Sequence, residues 1–168
     1  MATETTIALR KPVELASISY TELQLAEPTA DQWSQWDGLT GAEADIHAVS
    51  IVAGVPLPAV RKLGTSDLLK ASRFIASFLD WQGSFGAIAP DEWVVELRKP
   101  VAHGDTTITE LRLREPTADE WTKWDRLSGL EADIVKVATV AGVPAAAVRK
   151  ISSSQLMEAS RYVSLFLA

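Results

Sequence analysis

Few side chains in this sequence have the types and spacing from which chemistry could be built. Histidine comes first, because it titrates near neutrality and serves both proton transfer and metal binding. The chain has two, His47 and His103. A carboxylate pair, Glu43 and Asp45, recurs as Glu131 and Asp133 and could serve acid–base catalysis or a hard metal. Both pairs fall in the first turn of an expected helix, where the macrodipole favours negative charge without any catalytic role. There is no cysteine, so no disulfide framework, thiolate metal site or thiol nucleophile is available. A Gly-rich phosphate loop, a G-x-S-x-G elbow and an H-E-x-x-H pair are all absent from the sequence. The expectation is a protein that is not an enzyme, with no catalytic, cofactor-binding or metal-ligating residues.

The tryptophans carry more information. Trp33 and Trp36 lie three residues apart, as do Trp121 and Trp124, a spacing that puts each pair on one face of a helix. Such pairs can close a small core, or they can form a partly exposed aromatic patch of the kind enriched in binding hot spots. Arg73 and Arg161 occupy the face of a later helix opposite its apolar stripe, where solvated or ion-paired side chains belong. These six residues are the candidate partner-binding set.

The elements that must position them are read from an internal repeat. At a shift of 88 residues, Leu9-Arg10-Lys11-Pro12-Val13 falls on Leu97-Arg98-Lys99-Pro100-Val101. Glu27-Pro28-Thr29-Ala30-Asp31 likewise falls on Glu115-Pro116-Thr117-Ala118-Asp119, and Ala53-Gly54-Val55-Pro56 on Ala141-Gly142-Val143-Pro144. From residue 6 to residue 80 the register never slips, and about 40 of the 75 pairs are identical. A gapless match of that length predicts a duplicated domain, not a solenoid of short units. The expected organisation is a first module at 1–80, a linker at 81–93 with Gly83, Gly86 and Pro90, and a second module at 94–168. Trp81 and Phe85 suggest a linker docked on a module. The repeat partner of His47 is Val135 and that of His103 is Leu15, which excludes a catalytic histidine shared by both copies.

Within a module, Ile7 and Leu9, then Thr21, Leu23 and Leu25, alternate with polar residues at the period of a half-buried strand. This predicts a β-hairpin with a fairly long connection. Helical patterning follows. Thr29-Ala30-Asp31-Gln32 and Thr117-Ala118-Asp119-Glu120 have the capping-box form, and so do Thr40 to Glu43 and Ser128 to Glu131. Helix two ends at Gly54 and Pro56. A last helix from about Thr65 sets Leu68, Ala71, Ser72, Ile75, Phe78 and Leu79 on one face. The expected fold class is α+β, mainly helical, in two tandem repeats, each a β-hairpin followed by three to four short helices. At about 75 residues each module is near the lower size limit for a stable core. Tandem fusion lets the two pack as an intramolecular pseudo-dimer at no entropy cost of association.

Composition narrows the partners. The net charge is −6 and the pI about 4.9, which argues against nucleic acid and anionic membranes. No apolar stretch approaches a membrane span, and the polar N-terminus carries no signal-peptide region, so the expected location is the cytoplasm. The run from Ala48 to Leu63 does resemble the turn of repressor-type helix-turn-helix domains. Its second helix is stopped by Gly64 after about six residues. Residues 1–80 also hold 6 Lys and Arg against 10 Asp and Glu, so the phosphate attraction such domains need is missing. A DNA-binding regulator is the weakest alternative.

One resemblance joins these features. The order runs from Leu9-Arg10-Lys11-Pro12-Val13 to Thr21-Glu22-Leu23-Gln24-Leu25-Ala26-Glu27-Pro28-Thr29-Ala30-Asp31. Ala53-Gly54-Val55-Pro56 and a last helix from Ser66 to Phe74 complete it. This order resembles the tail assembly chaperones of Mu-like and P2-like tailed phages, and each repeat looks like a whole member. The resemblance implies a non-catalytic protein of the bacterial host cytoplasm whose partner is the tape measure protein, with tail tube subunits as a further partner. Its expected task is to keep the amphipathic helices of the tape measure protein soluble while the tube assembles. The alternative is a structural component retained in the tail or in a tail-like particle.

Overall fold

The alternating apolar residues at the start of each repeat form strands longer than their sequence pattern suggests. The structure is a computed structural model and describes residues 2–167. In chain order the first repeat carries β1 (Glu4–Leu15), β2 (Ile18–Ala26), α1 (Ala30–Ser34), α2 (Gly41–Ala53), α3 (Leu57–Val60) and α4 (Thr65–Ala76). The second carries β3 (Glu92–His103), β4 (Thr106–Arg114), α5 (Ala118–Trp121), α6 (Gly129–Ala141), α7 (Ala145–Val148) and α8 (Ser153–Ser164). The chain divides into two compact units, one of Met1–Pro28 with Gln32–Leu79, the other of Thr29–Asp31 with Asp80–Ala168.

The expectation of a mainly helical protein is overturned: the fold is α+β with 40% helix and 27% strand. The cause lies in the segment read as a long connection, which is strand. β1 and β2 pair antiparallel from Glu4↔Ala26 to Ala8↔Glu22, and pairing resumes at Val13↔Tyr20. Leu9, Arg10, Lys11 and Pro12 therefore face Thr21 alone, as a bulge inside a continuous strand. Proline has no N–H to give a ladder, and a bulge is where a strand tolerates it. β3 and β4 repeat the irregularity between Glu96 and Val101.

Each bulge is plugged from the last helix of its unit. The Arg10 N–H donates to Asp67 Oδ2 at 3.0 Å, and Asp67 is buried. In the second unit Gln155 takes that place, accepting from the Arg98 N–H at 3.1 Å and donating to the Glu96 carbonyl at 2.6 Å. Each hairpin closes with two residues, Ala16-Ser17 and Gly104-Asp105. The first residue of each pair has positive φ, 54° at Ala16 and 58° at Gly104.

A lone two-stranded hairpin is marginal in water, so its apolar face must be covered. In the first unit Ile7, Val13, Leu23 and Leu25 pack with Val49 of α2, Ala59 and Val60 of α3, and Ala71 and Ile75 of α4. The second unit buries Val95, Leu97, Val101, Leu111 and Leu113 of its hairpin, Ile134 and Val137 of α6, and Leu156, Ala159, Tyr162 and Val163 of α8. Each buried valine, leucine or isoleucine of these sets contributes about 1.5–3 kcal/mol relative to exposure, and the alanines less. α2 stops at Gly54, whose φ of 65° only glycine adopts freely, and the Val55 N–H then bonds the Ser50 carbonyl at 3.2 Å.

The capping boxes divide. At Thr117 the box forms: its side chain accepts from the Glu120 N–H at 3.1 Å, and Glu120 Oε2 accepts from the Thr117 N–H at 2.9 Å. Thr40 and Ser128 occupy N-cap positions without any side-chain cap bond. Glu43 is engaged elsewhere, taking both guanidinium nitrogens of Arg61 at 2.8 and 2.9 Å, and Glu131 takes Arg149 at 2.6 Å.

Candidate protein-binding site

The tryptophan spacing resolves differently for the two members of each pair. Trp36 and Trp124 are core residues, 5% and 3% exposed. Trp33 is half-buried, whereas Trp121 is 48% exposed. The chain leaves helical geometry after Ser34, and the Trp36 N–H bonds the Trp33 carbonyl at 3.1 Å, which turns the second ring inward. In each unit one ring anchors the core and its partner is left toward solvent.

In the first unit this arrangement borders a groove of about 230 Å³. Trp33, Trp36 and Leu39 form one wall, and Ala44 and Ala48 of α2 with Ile75, Ala76 and Leu79 form the rest. Three polar residues line it, Asp37, Asp45 and Ser72. The Ser72 hydroxyl donates to Asp45 Oδ1, so α2 and α4 are tied across the groove. An apolar trough with a carboxylate at its edge can take one face of an amphipathic helix.

The second unit keeps the carboxylate and the hydroxyl as Asp133 and Ser160, again hydrogen-bonded. Here the position of Ala48 is held by Lys136, whose side chain is 11% exposed. Its ammonium stands 3.4 Å from Asp133 Oδ1, 3.2 Å from Ser160 Oγ and 3.1 Å from Ser164 Oγ. What the second unit offers instead is a cleft of about 280 Å³ lined by Pro116, Thr117, Ala118, Trp121, Phe166 and Leu167. Leu127 and Leu165 are further exposed apolar residues of this unit. α5 is only four residues long, yet the Thr117 capping box and the Arg114 guanidinium, 2.7 Å from Glu120 Oε1, hold it firmly. Arg114 and the Thr117 amide keep the Glu120 carboxyl at a pKa of about 2, well under its ordinary value.

The remaining candidates are placed as follows. Arg73 is exposed on α4, and Arg161 pairs with Asp80. His47 Nε2 lies 3.6 Å from Glu43 Oε2 on the exposed side of α2. The Arg61 guanidinium holds Glu43 below the usual carboxylate range. His103 is the residue before the second hairpin turn. Among the described residues no three His, Asp or Glu gather as they would to hold a metal ion, and no helix is long and apolar enough to cross a membrane. The segment compared with a recognition helix is α3, four residues long, and its flanking Arg61 is paired with Glu43.

The linker residues pack within the second unit. Phe85 stacks on Trp81 at 4.4 Å between centroids and meets Trp93 edge-on at 4.9 Å and Tyr162 at 5.7 Å. The Tyr162 hydroxyl donates to the Pro90 carbonyl at 2.6 Å, and its burial raises its pKa, helped by Asp91, Glu92 and Glu115. A Cβ on Gly83 would come within 2.1 Å of the Trp81 ring, so a side chain there would force the indole to shift.

Sequence reasoning missed two linked sets, Asp45 with Ser72 in the first unit and Lys136 with Asp133, Ser160 and Ser164 in the second. The usable signal was the pattern of change between repeats, Ala48 to Lys136 and Ala76 to Ser164, beside an unchanged Asp and Ser.

Both surfaces are lined mainly by apolar and aromatic side chains. Residues 94–168 match the family of phage tail assembly chaperone proteins, E, or 41 or 14. No curated protein and no solved structure matches the chain. The match supports a role in phage tail assembly with protein partners and covers the second repeat from β3 to α8.

Proposed function

We propose that the whole chain is a tandem tail assembly chaperone that binds the tape measure protein and keeps it soluble while tail tube subunits assemble around it. The observation that carries this reading is the family match over 94–168. The first repeat shares about 40 of 75 aligned residues with the second, which extends the assignment to both halves. Protein binding suits the surfaces described: an apolar groove with a carboxylate in the first unit, and an exposed tryptophan beside an apolar cleft in the second. A tape measure protein presents long amphipathic helices, and a chaperone must cover their apolar stripes reversibly. Two linked modules gain avidity on a long target without tight binding at either. The protein acts in the host cytoplasm, works without catalysis, and leaves before the particle is complete.

Co-expression with the tape measure protein of the same genome tests the reading. The expected result is that the client stays in the soluble fraction and co-purifies with this chain, and forms aggregates without it. Mass spectrometry of finished particles should find the chain missing. Recovering it there in stoichiometric amount would instead make it a structural component, and a client equally soluble alone would remove the chaperone role.

A further inference from the structure

The two repeats hold two versions of one groove, and they differ at two small residues. In the second unit the Lys136 ammonium is held by Asp133, Ser160 and Ser164 at 3.4, 3.2 and 3.1 Å. The counterparts in the first unit are Asp45, Ser72 and Ala76, with Ala48 where the lysine stands. The carboxylate and one of the two hydroxyls have counterparts in the first unit, the cation and the second hydroxyl have none, and a space of about 230 Å³ lies there. Among the described residues Asp45 has the Ser72 hydroxyl as its hydrogen-bond partner and no ion pair.

We infer that the groove of the first unit receives a lysine side chain from the partner, carried on the apolar face of an amphipathic helix. Its ammonium sits against Asp45 and Ser72 as Lys136 Nζ sits in the second unit. The inference rests on the reading of the protein as a chaperone of a helical client, and names what that client must present. The chemistry fits lysine at both ends. Its methylene stem packs on apolar walls while its charged head reaches a polar site, and Trp33 and Trp36 supply such walls. A compact ammonium with three rotatable donors matches one carboxylate and one hydroxyl, where the planar guanidinium of arginine asks for a fork. The net charge of −6 draws a cationic helix toward the surface.

The test uses the full chain and three synthetic amphipathic helical peptides. They are identical except at one apolar-face position, which is lysine, norleucine or arginine, and binding is read by fluorescence anisotropy. The lysine peptide should bind about tenfold tighter than the norleucine peptide, the size expected of a hydrogen bond to a charged group. Asp45→Asn should reduce that preference to under about twofold. Ala48→Lys, which rebuilds the internal cation, should remove binding of all three at this groove, with circular dichroism unchanged. Equal binding of lysine and norleucine peptides, or a preference that survives Asp45→Asn, overturns the lysine assignment and leaves the chaperone reading intact. Preference for arginine over lysine overturns it too. If no peptide binds while the co-expressed tape measure protein is still captured, this groove is not the client site. If neither is bound, both readings fall.

Discussion

A comparison built into the chain itself tests how a single residue can set backbone strain. Ala16 and Gly104 hold the same place in two hairpin turns, with φ of 54° and 58°. Glycine adopts that conformation freely, whereas a Cβ makes it costly. Both positions are exposed, and a Cβ added at Gly104 would meet nothing within 4 Å, so packing does not enter the difference. Ala16→Gly is therefore expected to stabilise the first unit by about 0.5–1 kcal/mol, and Gly104→Ala to destabilise the second by about 1 kcal/mol or more. Urea denaturation with fluorescence detection measures both. Opposite signs at two exposed turn residues would locate the effect in φ alone, and a loss of stability in Ala16→Gly would contradict it. At this scale the sequence spoke only in part. The turn at Gly104-Asp105 could be read from its residues. The twin at Ala16-Ser17 could not, because alanine carries no turn signal and only the register of the partner strands fixes its place.

At the level of elements, pattern and outcome part company where tertiary partners compete. The apolar period pointed to the strands and to three to four helices in each repeat, since those face a core that the pattern itself encodes. The bulge was read as a connection because Arg-Lys-Pro breaks alternation, and only the buried Asp67 or Gln155 reveals that the strand continues through it. Four capping boxes share one sequence form, yet at Thr40 and Ser128 no side-chain cap bond forms, and Glu43 and Glu131 bond arginines 18 residues away instead. The box at Thr117 forms and has a measurable consequence. Glu120 has a folded pKa of about 2, below its ordinary value of 4.5, so its partners stabilise the charged form. A depressed carboxylate contributes fully above the ordinary pKa and loses that contribution as pH falls toward the folded value. Wild type should accordingly exceed Glu120→Gln in stability by about 0.5–1 kcal/mol at pH 6–7, a figure kept small because Arg114 is half exposed. The gap should narrow below about pH 4.5 and close near pH 2. Thermal melts of both proteins across that range check it, and a gap that widens on acidification would reverse the assignment.

For the molecule as a whole, duplication supplies a frame in which the halves have diverged at their surfaces. One groove is open beside Trp33, its counterpart is occupied by Lys136, and the aromatic exposed in the second unit is Trp121. The second unit has in addition taken on residues 80–91 as part of its packing. Phe85 lies between Trp81, Trp93 and Tyr162, and Tyr162 is fully buried. The first repeat has Thr5 and Phe74 where the second has Trp93 and Tyr162, so it has no equivalent cluster to receive such a segment. If the segment contributes packing energy to one unit, removing its central ring must act on that unit alone. Phe85→Ala removes a half-buried ring, and an expected loss of about 1–3 kcal/mol follows from scaling the full cost of burying phenylalanine. Residue-resolved hydrogen exchange separates the units, because each amide reports the opening of the unit that holds it. Amides of β3, β4, α6 and α8 should lose protection in the variant, while those of β1, β2, α2 and α4 keep theirs. Equal loss in both sets would mean that the chain opens as one cooperative body and that the linker belongs to neither half.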